Sequence, residues 1–201
     1  MYIVCLDMEG VVVPEIWIAF AEKTGIDALK LTTRDEPDYD KLMKYRIDIL
    51  KKHGLGLNKI QEVISGIEPL CGAKDFLDKL REKAQVVILS DTFTQFAMPL
   101  MKKLGYPTLM CNELIVGENG MIEGYKMRIE NSKLSTVRAL QSAGFETIAA
   151  GDSYNDLAMI RASKFGYLFK STEKIKKDNP DIPSFEEYGE LLAAIERDAE
   201  I

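Results

Sequence analysis

Three short apolar runs in this chain break off abruptly on polar residues. Tyr2 to Leu6 runs into Asp7, Gln85 to Leu89 into Ser90-Asp91, and Thr147 to Ala150 into Gly151-Asp152. Each run is continuous rather than alternating, which marks a strand buried on both faces of a sheet. Helix patterns separate the runs, so the sheet is parallel and its crossovers right-handed. Carboxylates are almost never buried unpaired, so each acid marks the point where a strand leaves the sheet. In open α/β sheets ligands bind beyond the carboxyl ends of the strands. Three polar strand ends on one edge therefore predict one site.

The remaining pattern fills in around those strands. Pro14 suits the first position of a helix and Gly25 its end, with Ile16, Trp17, Phe20 and Ala21 as the apolar face. A polar stretch, Thr32 to Asp40, precedes a helix from about Tyr39 to His53, with Leu42, Met43, Ile47 and Leu50 on its buried side and Arg46 beside that stripe. Asn58 is placed to cap a short third helix carrying Ile60, Val63 and Ile64. Residues 14–70 thus read as helical with no strand, an insertion after the first strand. Beyond Gly72 come a helix from Ala73 to Lys83, the second strand, and a helix from Phe93 to Leu104 kinked at Pro99. Thr108 to Cys111 reads as a short strand. Asn119-Gly120, between Glu113–Gly117 and Met121–Ile129, is a hairpin signal. Ser132 is expected to cap a helix running to Ser142, and Ser153 the helix after Asp152. Phe165 to Phe169 reads as the last strand, and Ser184-Phe185-Glu186-Glu187 as a capping box opening a C-terminal helix.

Composition narrows the class. Of 201 residues 46% are hydrophobic, enough for a large core. A net charge of -6 argues against nucleic-acid binding. Cys5, Cys71 and Cys111 are odd in number and form no C-x-x-C, so they read as core packing in a reducing, cytoplasmic setting. The N-terminal apolar run is interrupted by Asp7 and Glu9 and reads as neither signal peptide nor membrane span. His53, the only histidine, reads as a helix C-terminal residue.

The strand-end groups select a chemistry. Several acids in one place need a counter-charge. Carboxylates plus water are what Mg²⁺ takes, often with a substrate phosphate. A serine hydroxyl, a lysine and helix-start N–H groups suit phosphate. D-x-E-G-V from Asp7, a strand ending in Ser90, then Lys133, then G-D-S-x-N-D from Gly151 resembles the four motifs of the haloacid dehalogenase superfamily of phosphohydrolases. Within it the pattern is similar to phosphoserine phosphatases, and to the subgroup that also moves the phosphoryl group to homoserine. The likeness spans essentially the whole chain. It implies a Rossmann-like α/β core of residues 1–13 and 71–201, a helical cap of residues 14–70, and a small β-hairpin.

The resemblance also implies roles. Asp7 would be the nucleophile and Glu9 the acid/base. Mg²⁺ would be held by Asp7, the Glu9 main-chain carbonyl and Asp152, with Asp156 orienting the metal site. Ser90 and Lys133 would grip phosphoryl oxygens, with Asp91 and Asn155 beside them. Glu15 and Arg46 would take the ammonium and carboxylate of O-phospho-L-serine. Homoserine would be the further acceptor; nucleic acid and membrane are not expected as partners, and the pattern allows a homodimer. Most members of that family carry Asp where this chain has Glu9, often with Thr at the position of Val11. The extra methylene displaces the carboxyl by roughly 1.5 Å and bears on hydrolytic efficiency. Two rival readings fit the pattern less well. A receiver domain pairs its acids differently and lacks a cap. A phosphatase for phosphoethanolamine, pyridoxal phosphate or a sugar phosphate would not need Arg46.

Overall fold

The computed structural model describes residues 1–32, 35–36 and 38–201. A seven-stranded sheet forms its centre: β1 (Tyr2–Asp7), β2 (Gln85–Phe93), β3 (Thr108–Val116), β4 (Ile122–Lys126), β5 (Glu146–Gly151), β6 (Phe165–Phe169) and β7 (Ser184–Phe185). Their order is β4-β3-β2-β1-β5-β6-β7. All neighbours pair in parallel except β3 and β4. The fold is α/β, as the strand pattern predicts. β1 lies in the middle, between β2 and β5, so the three polar strand ends are brought to one edge.

Helices α1 (Ile16–Thr24), α2 (Tyr39–Lys52) and α3 (Leu57–Ser65) occupy the segment that follows β1. The others are α4 (Ala73–Lys83), α5 (Thr94–Lys103), α6 (Ser132–Ser142), α7 (Leu157–Ala162), α8 (Glu173–Asp178) and α9 (Tyr188–Ala199). None of the described helices is long and apolar enough to cross a membrane. The β1 residues Val4 and Leu6 face one hydrophobic cluster, and Ile3 and Cys5 the other, so alternate side chains serve the two faces of the sheet.

Local details depart from the sequence reading in informative ways. Helix α1 begins at Ile16, not Pro14; Glu15 holds its N-cap position and Gly25 closes it at φ 69°. Gly56 precedes α3, leaving Asn58 inside it. β3 is one long strand rather than two pieces: its first half pairs with β2 and its second half turns outward into the hairpin with β4. Ser132 does not cap α6; Asn131, at φ 49°, precedes that helix. Ser184 lies in β7, beyond the strand expected to be last, and Glu187 precedes α9. Cys71 is exposed, whereas Cys5 and Cys111 are buried. His53 closes α2 as expected. Of the polar stretch Thr32 to Asp40, positions 33, 34 and 37 lie outside the described residues.

The loop after β1 is closed on itself. Val12 and Val13 N–H both donate to the Met8 carbonyl, and Gly10 N–H to that of Val13. Where the inserted helices rejoin the sheet, Leu70 N–H donates to Val12 carbonyl at 3.0 Å. The Tyr188 hydroxyl donates to Val11 carbonyl at 2.6 Å. The segment bearing Asp7 and Glu9 is thereby fastened from both sides.

Candidate active site

Asp7, the last residue of β1, is 5% exposed. Its Oδ1 accepts from Met8 N–H and from Lys133 Nζ, both at 2.7 Å. Lys133, in the first turn of α6, also donates to Asp156 Oδ1 at 2.6 Å. Burial alone would favour neutral lysine, but Asp7, Asp156 and Asp91 outweigh it and hold the ammonium above its ordinary range. Burial, then Asp156, pushes the Asp7 carboxyl upward, with Lys133 opposing.

Asp156 is fully buried and its acceptors are spoken for. Besides Lys133 it takes Asp152 N–H, Ser153 N–H and Ser153 Oγ on Oδ2, each at 3.1 Å. Ser153 and Asp156 form a reciprocal capping box over the turn Tyr154–Asp156, which is why G-D-S-x-N-D is a structural unit as well as a set of acids. Asp152, at the end of β5, is half-buried; burial and Asp156 raise it to about 6. Backbone presses close on both acids. A Cβ on Gly10 would lie 2.5 Å from Asp152 Oδ2, and one on Gly151 2.3 Å from Asp156 Cγ. Gly10 also sits at φ 78°, so glycine is required there twice over.

Asp7, Asp152 and Asp156 bring carboxylate oxygens within 4.8 Å of one another. Three acids around one ammonium leave the cluster short of positive charge, and an all-carboxylate donor set suits a hard cation such as Mg²⁺. The residues therefore fit the expected metal. Asp7 and Asp152 would hold it, because Asp156 is already committed to four donors.

On the other flank, β2 loses register with β3 between Leu89 and Phe93, which turns Ser90 and Asp91 out of the ladder. Ser90 is buried, and its Oγ accepts from Thr92 N–H at 3.2 Å. Asp91 accepts from Ser132 Oγ at 2.9 Å and from Asn155 Nδ2 at 3.3 Å, drawing together the end of β2, the start of α6 and the turn after β5.

Glu9 Oε1 accepts from Ile16 N–H at 2.9 Å, so a residue of the β1 loop satisfies the first turn of α1. Burial raises Glu9 to about 7, with the Ile16 N–H working against the rise. Glu15 is exposed and its side chain caps nothing. Arg46 is buried: Nη2 donates to Leu31 carbonyl at 2.7 Å, and the guanidinium lies 4.5 Å over the Trp17 ring. Its Nε is buried with no hydrogen-bond partner among the described residues. Burial lowers Arg46 to about 10, while Tyr39, Glu9 and Glu15 pull it back up.

Of the expected residues, Asp7, Lys133, Asp152 and Asp156 form one cluster; Ser90, Asp91 and Asn155 flank it; Glu9 joins it to α1. Ser132 and Asn112 were not anticipated. Ser132 reads as an ordinary helix cap until Asp91 is seen to claim its hydroxyl, and no sequence signal singles out Asn112.

A family profile described as haloacid dehalogenase-like hydrolase matches residues 16–161. A curated relative, phosphoserine phosphatase ThrH of Pseudomonas aeruginosa, is 54% identical over 191 residues, covering 95% of this chain and 93% of its own. A phosphoserine phosphatase of Pseudomonas syringae is 52% identical, covering 94% and 80%. Among solved structures, an apo phosphoserine phosphatase superposes with TM-score 0.74 at 22% identity, covering 92% of this chain and 94% of that one. A phospho-aspartyl intermediate analogue of phosphoserine phosphatase superposes with TM-score 0.73, also at 22% identity, covering 92% and 93%. The solved structures share the fold. The chain belongs to the haloacid dehalogenase-like hydrolases and, within them, to the phosphoserine phosphatase family.

Proposed function

We propose that the chain hydrolyses O-phospho-L-serine through a phosphorylated Asp7 and that it also passes the phosphoryl group to homoserine. The observation that carries this reading is the buried Asp7 carboxylate at the end of β1, bonded to a lysine that a second buried acid holds in place. In this reading residues 1–13 and 71–201 form the catalytic core, and the helices of residues 14–70 cap it, in the cytoplasm.

Phosphoryl transfer asks little covalent work of a protein and much neutralisation of charge. An Asp7 oxygen attacks phosphorus, and the bond to the serine oxygen breaks. Glu9, two residues on and raised toward neutrality by burial, gives that oxygen its proton. Lys133 and the Ser90 hydroxyl hold phosphoryl oxygens as charge builds on them. Serine leaves; Glu9, now ionised, takes the proton of the next hydroxyl, which attacks phosphorus and frees Asp7. Asp7, Asp152 and the Glu9 main-chain carbonyl would hold Mg²⁺, which would supply further charge neutralisation.

Substrate choice rests on Arg46. A buried guanidinium beside Glu9 and Glu15, its Nε unpartnered among the described residues, favours a substrate that brings a carboxylate. The same clamp explains transfer. Water is abundant but unoriented, whereas an amino acid bearing a hydroxyl is positioned, and orientation is worth effective molarities of about 10⁵ M or more. The test follows labelled phosphate from phosphoserine at rising homoserine concentration. Label divides between inorganic phosphate and phosphohomoserine. If all of it appears as inorganic phosphate at every concentration, the transferase half is wrong; if phosphoserine is no better a substrate than phosphoethanolamine, the substrate assignment is wrong.

A further inference from the structure

Behind the phosphoryl-holding residues runs a closed ring of hydrogen bonds. Asn112, fully buried on β3, donates Nδ2 to the Asp91 carbonyl at 2.9 Å, and its Oδ1 accepts from Arg128 N–H at 2.9 Å. Arg128 Nη2 donates to the Ser132 carbonyl at 3.2 Å and to Thr136 Oγ1 at 2.7 Å. Ser132 Oγ returns to Asp91 Oδ1 at 2.9 Å. The ring joins the end of β2, the middle of β3, the segment before α6, and the first turn of α6. Ser90 immediately precedes one corner of it and Lys133 immediately follows another.

The pattern has a physical logic. Helix α6 starts without a side-chain cap, after Asn131 in the left-handed region. Lys133 ties its first turn to Asp7 and Asp156, and the ring ties Ser132, one residue earlier, to the end of β2. A primary amide is suited to the centre because it donates and accepts at once across a short reach. Its burial is costly unless both ends are satisfied, and here both are.

We propose that Asn112 is a positioning residue: through the ring it sets the spacing between Ser90-Asp91 and Lys133, the two jaws that hold the phosphoryl group. The proposal rests on the phosphoryl-transfer reading of the site. Asn112 touches no substrate and acts only through Asp91 and Arg128. The metal-side acids, Asp7 and Asp152, lie outside the ring.

Two variants cut the ring at different bonds. Asn112→Asp keeps size and the acceptor for Arg128 N–H but cannot donate to the Asp91 carbonyl. Arg128→Ala removes an exposed side chain and leaves Asn112 intact. Inorganic phosphate binding in the presence of Mg²⁺, measured by calorimetry, reads the grip directly; turnover of phosphoserine, the Mg²⁺ dependence of activity and the melting temperature are measured alongside. The expected result in each variant is a loss of phosphate affinity and of kcat by about tenfold, as for a lost hydrogen bond to a charged or buried group, with the Mg²⁺ dependence unchanged. A lowered melting temperature with wild-type phosphate affinity and kcat would overturn the proposal, leaving the ring a purely structural feature. Should Asn112→Asp not fold, wild-type phosphate affinity in Arg128→Ala alone overturns it. Failure of the unmodified protein to bind phosphate or turn over phosphoserine refutes the underlying reading instead, so the two failures are told apart.

Discussion

Gly10→Ala places the strain of one methyl group directly on Asp152, the acid proposed to hold the metal. The added Cβ would lie 2.5 Å from Asp152 Oδ2 and 2.6 Å from its Cγ. Ordinary contact begins at 3.4 Å, so the carboxylate or the loop must retreat by about 0.9 Å. Misplacing a catalytic group by about 1 Å costs on the order of 10²-fold in rate. The backbone adds its own penalty, because φ is 78° and a left-handed residue other than glycine costs roughly 1–2 kcal/mol. Gly120→Ala separates the two effects: φ there is 77°, but no atom of the described residues lies within 4 Å of the new Cβ. Both variants should lose stability in thermal unfolding through the shared backbone cost, Gly10→Ala more because of its added clash. Only Gly10→Ala should lose about 10²-fold in kcat/KM for phosphoserine, with the Mg²⁺ concentration for half-maximal activity rising. Wild-type kcat/KM in Gly10→Ala, or equal losses in both variants, would refute the claim that Asp152 must stand where the glycine lets it.

Other outcomes follow from the same geometry. Glu9→Gln keeps an acceptor for Ile16 N–H but has no proton to give; kcat should fall by roughly 10²–10⁴-fold while the melting temperature holds, and normal turnover would remove Glu9 from proton transfer. Arg46→Ala should cost phosphoserine roughly ten- to a hundredfold in kcat/KM and a phosphate ester without a carboxylate much less; equal losses would make Arg46 structural. Exhaustive chelation should abolish activity and added Mg²⁺ restore it, so activity that survives chelation would exclude the metal role.

The parallel sheet and the edge on which its polar residues gather were legible in the sequence because buried strands and strand-end acids leave strong local marks. Tyr2 to Leu6 and Thr147 to Ala150 each gained only one or two residues at their ends on folding into β1 and β5. What local pattern could not convey were partners distant along the chain. Ser132 carried every mark of an N-cap, yet its hydroxyl goes to Asp91, 41 residues away. Ser184 opened a plausible capping box but joined β6 as an edge strand instead. Arg46 sat one position off an apolar stripe, and only the packing of Trp17 and the Leu31 carbonyl shows that it is buried. Asn112 reads as an unremarkable polar residue in a strand until Asp91 and Arg128 are seen on either side of it. Helix termini shifted by a residue or two for a similar reason: Glu9, not Pro14 or Glu15, satisfies the first N–H of α1.

The central claim is that Asp7 itself carries the phosphoryl group between donor and acceptor. Rapid quenching of the protein with labelled phosphoserine and Mg²⁺, followed by proteolysis under acid conditions, tests it most directly. Label should appear on the peptide containing Asp7, be released by hydroxylamine as an acyl phosphate is, and be absent from Asp7→Asn, which should still fold but not turn over. Label on another residue, or turnover of phosphoserine by Asp7→Asn at the unmodified rate, would contradict the account.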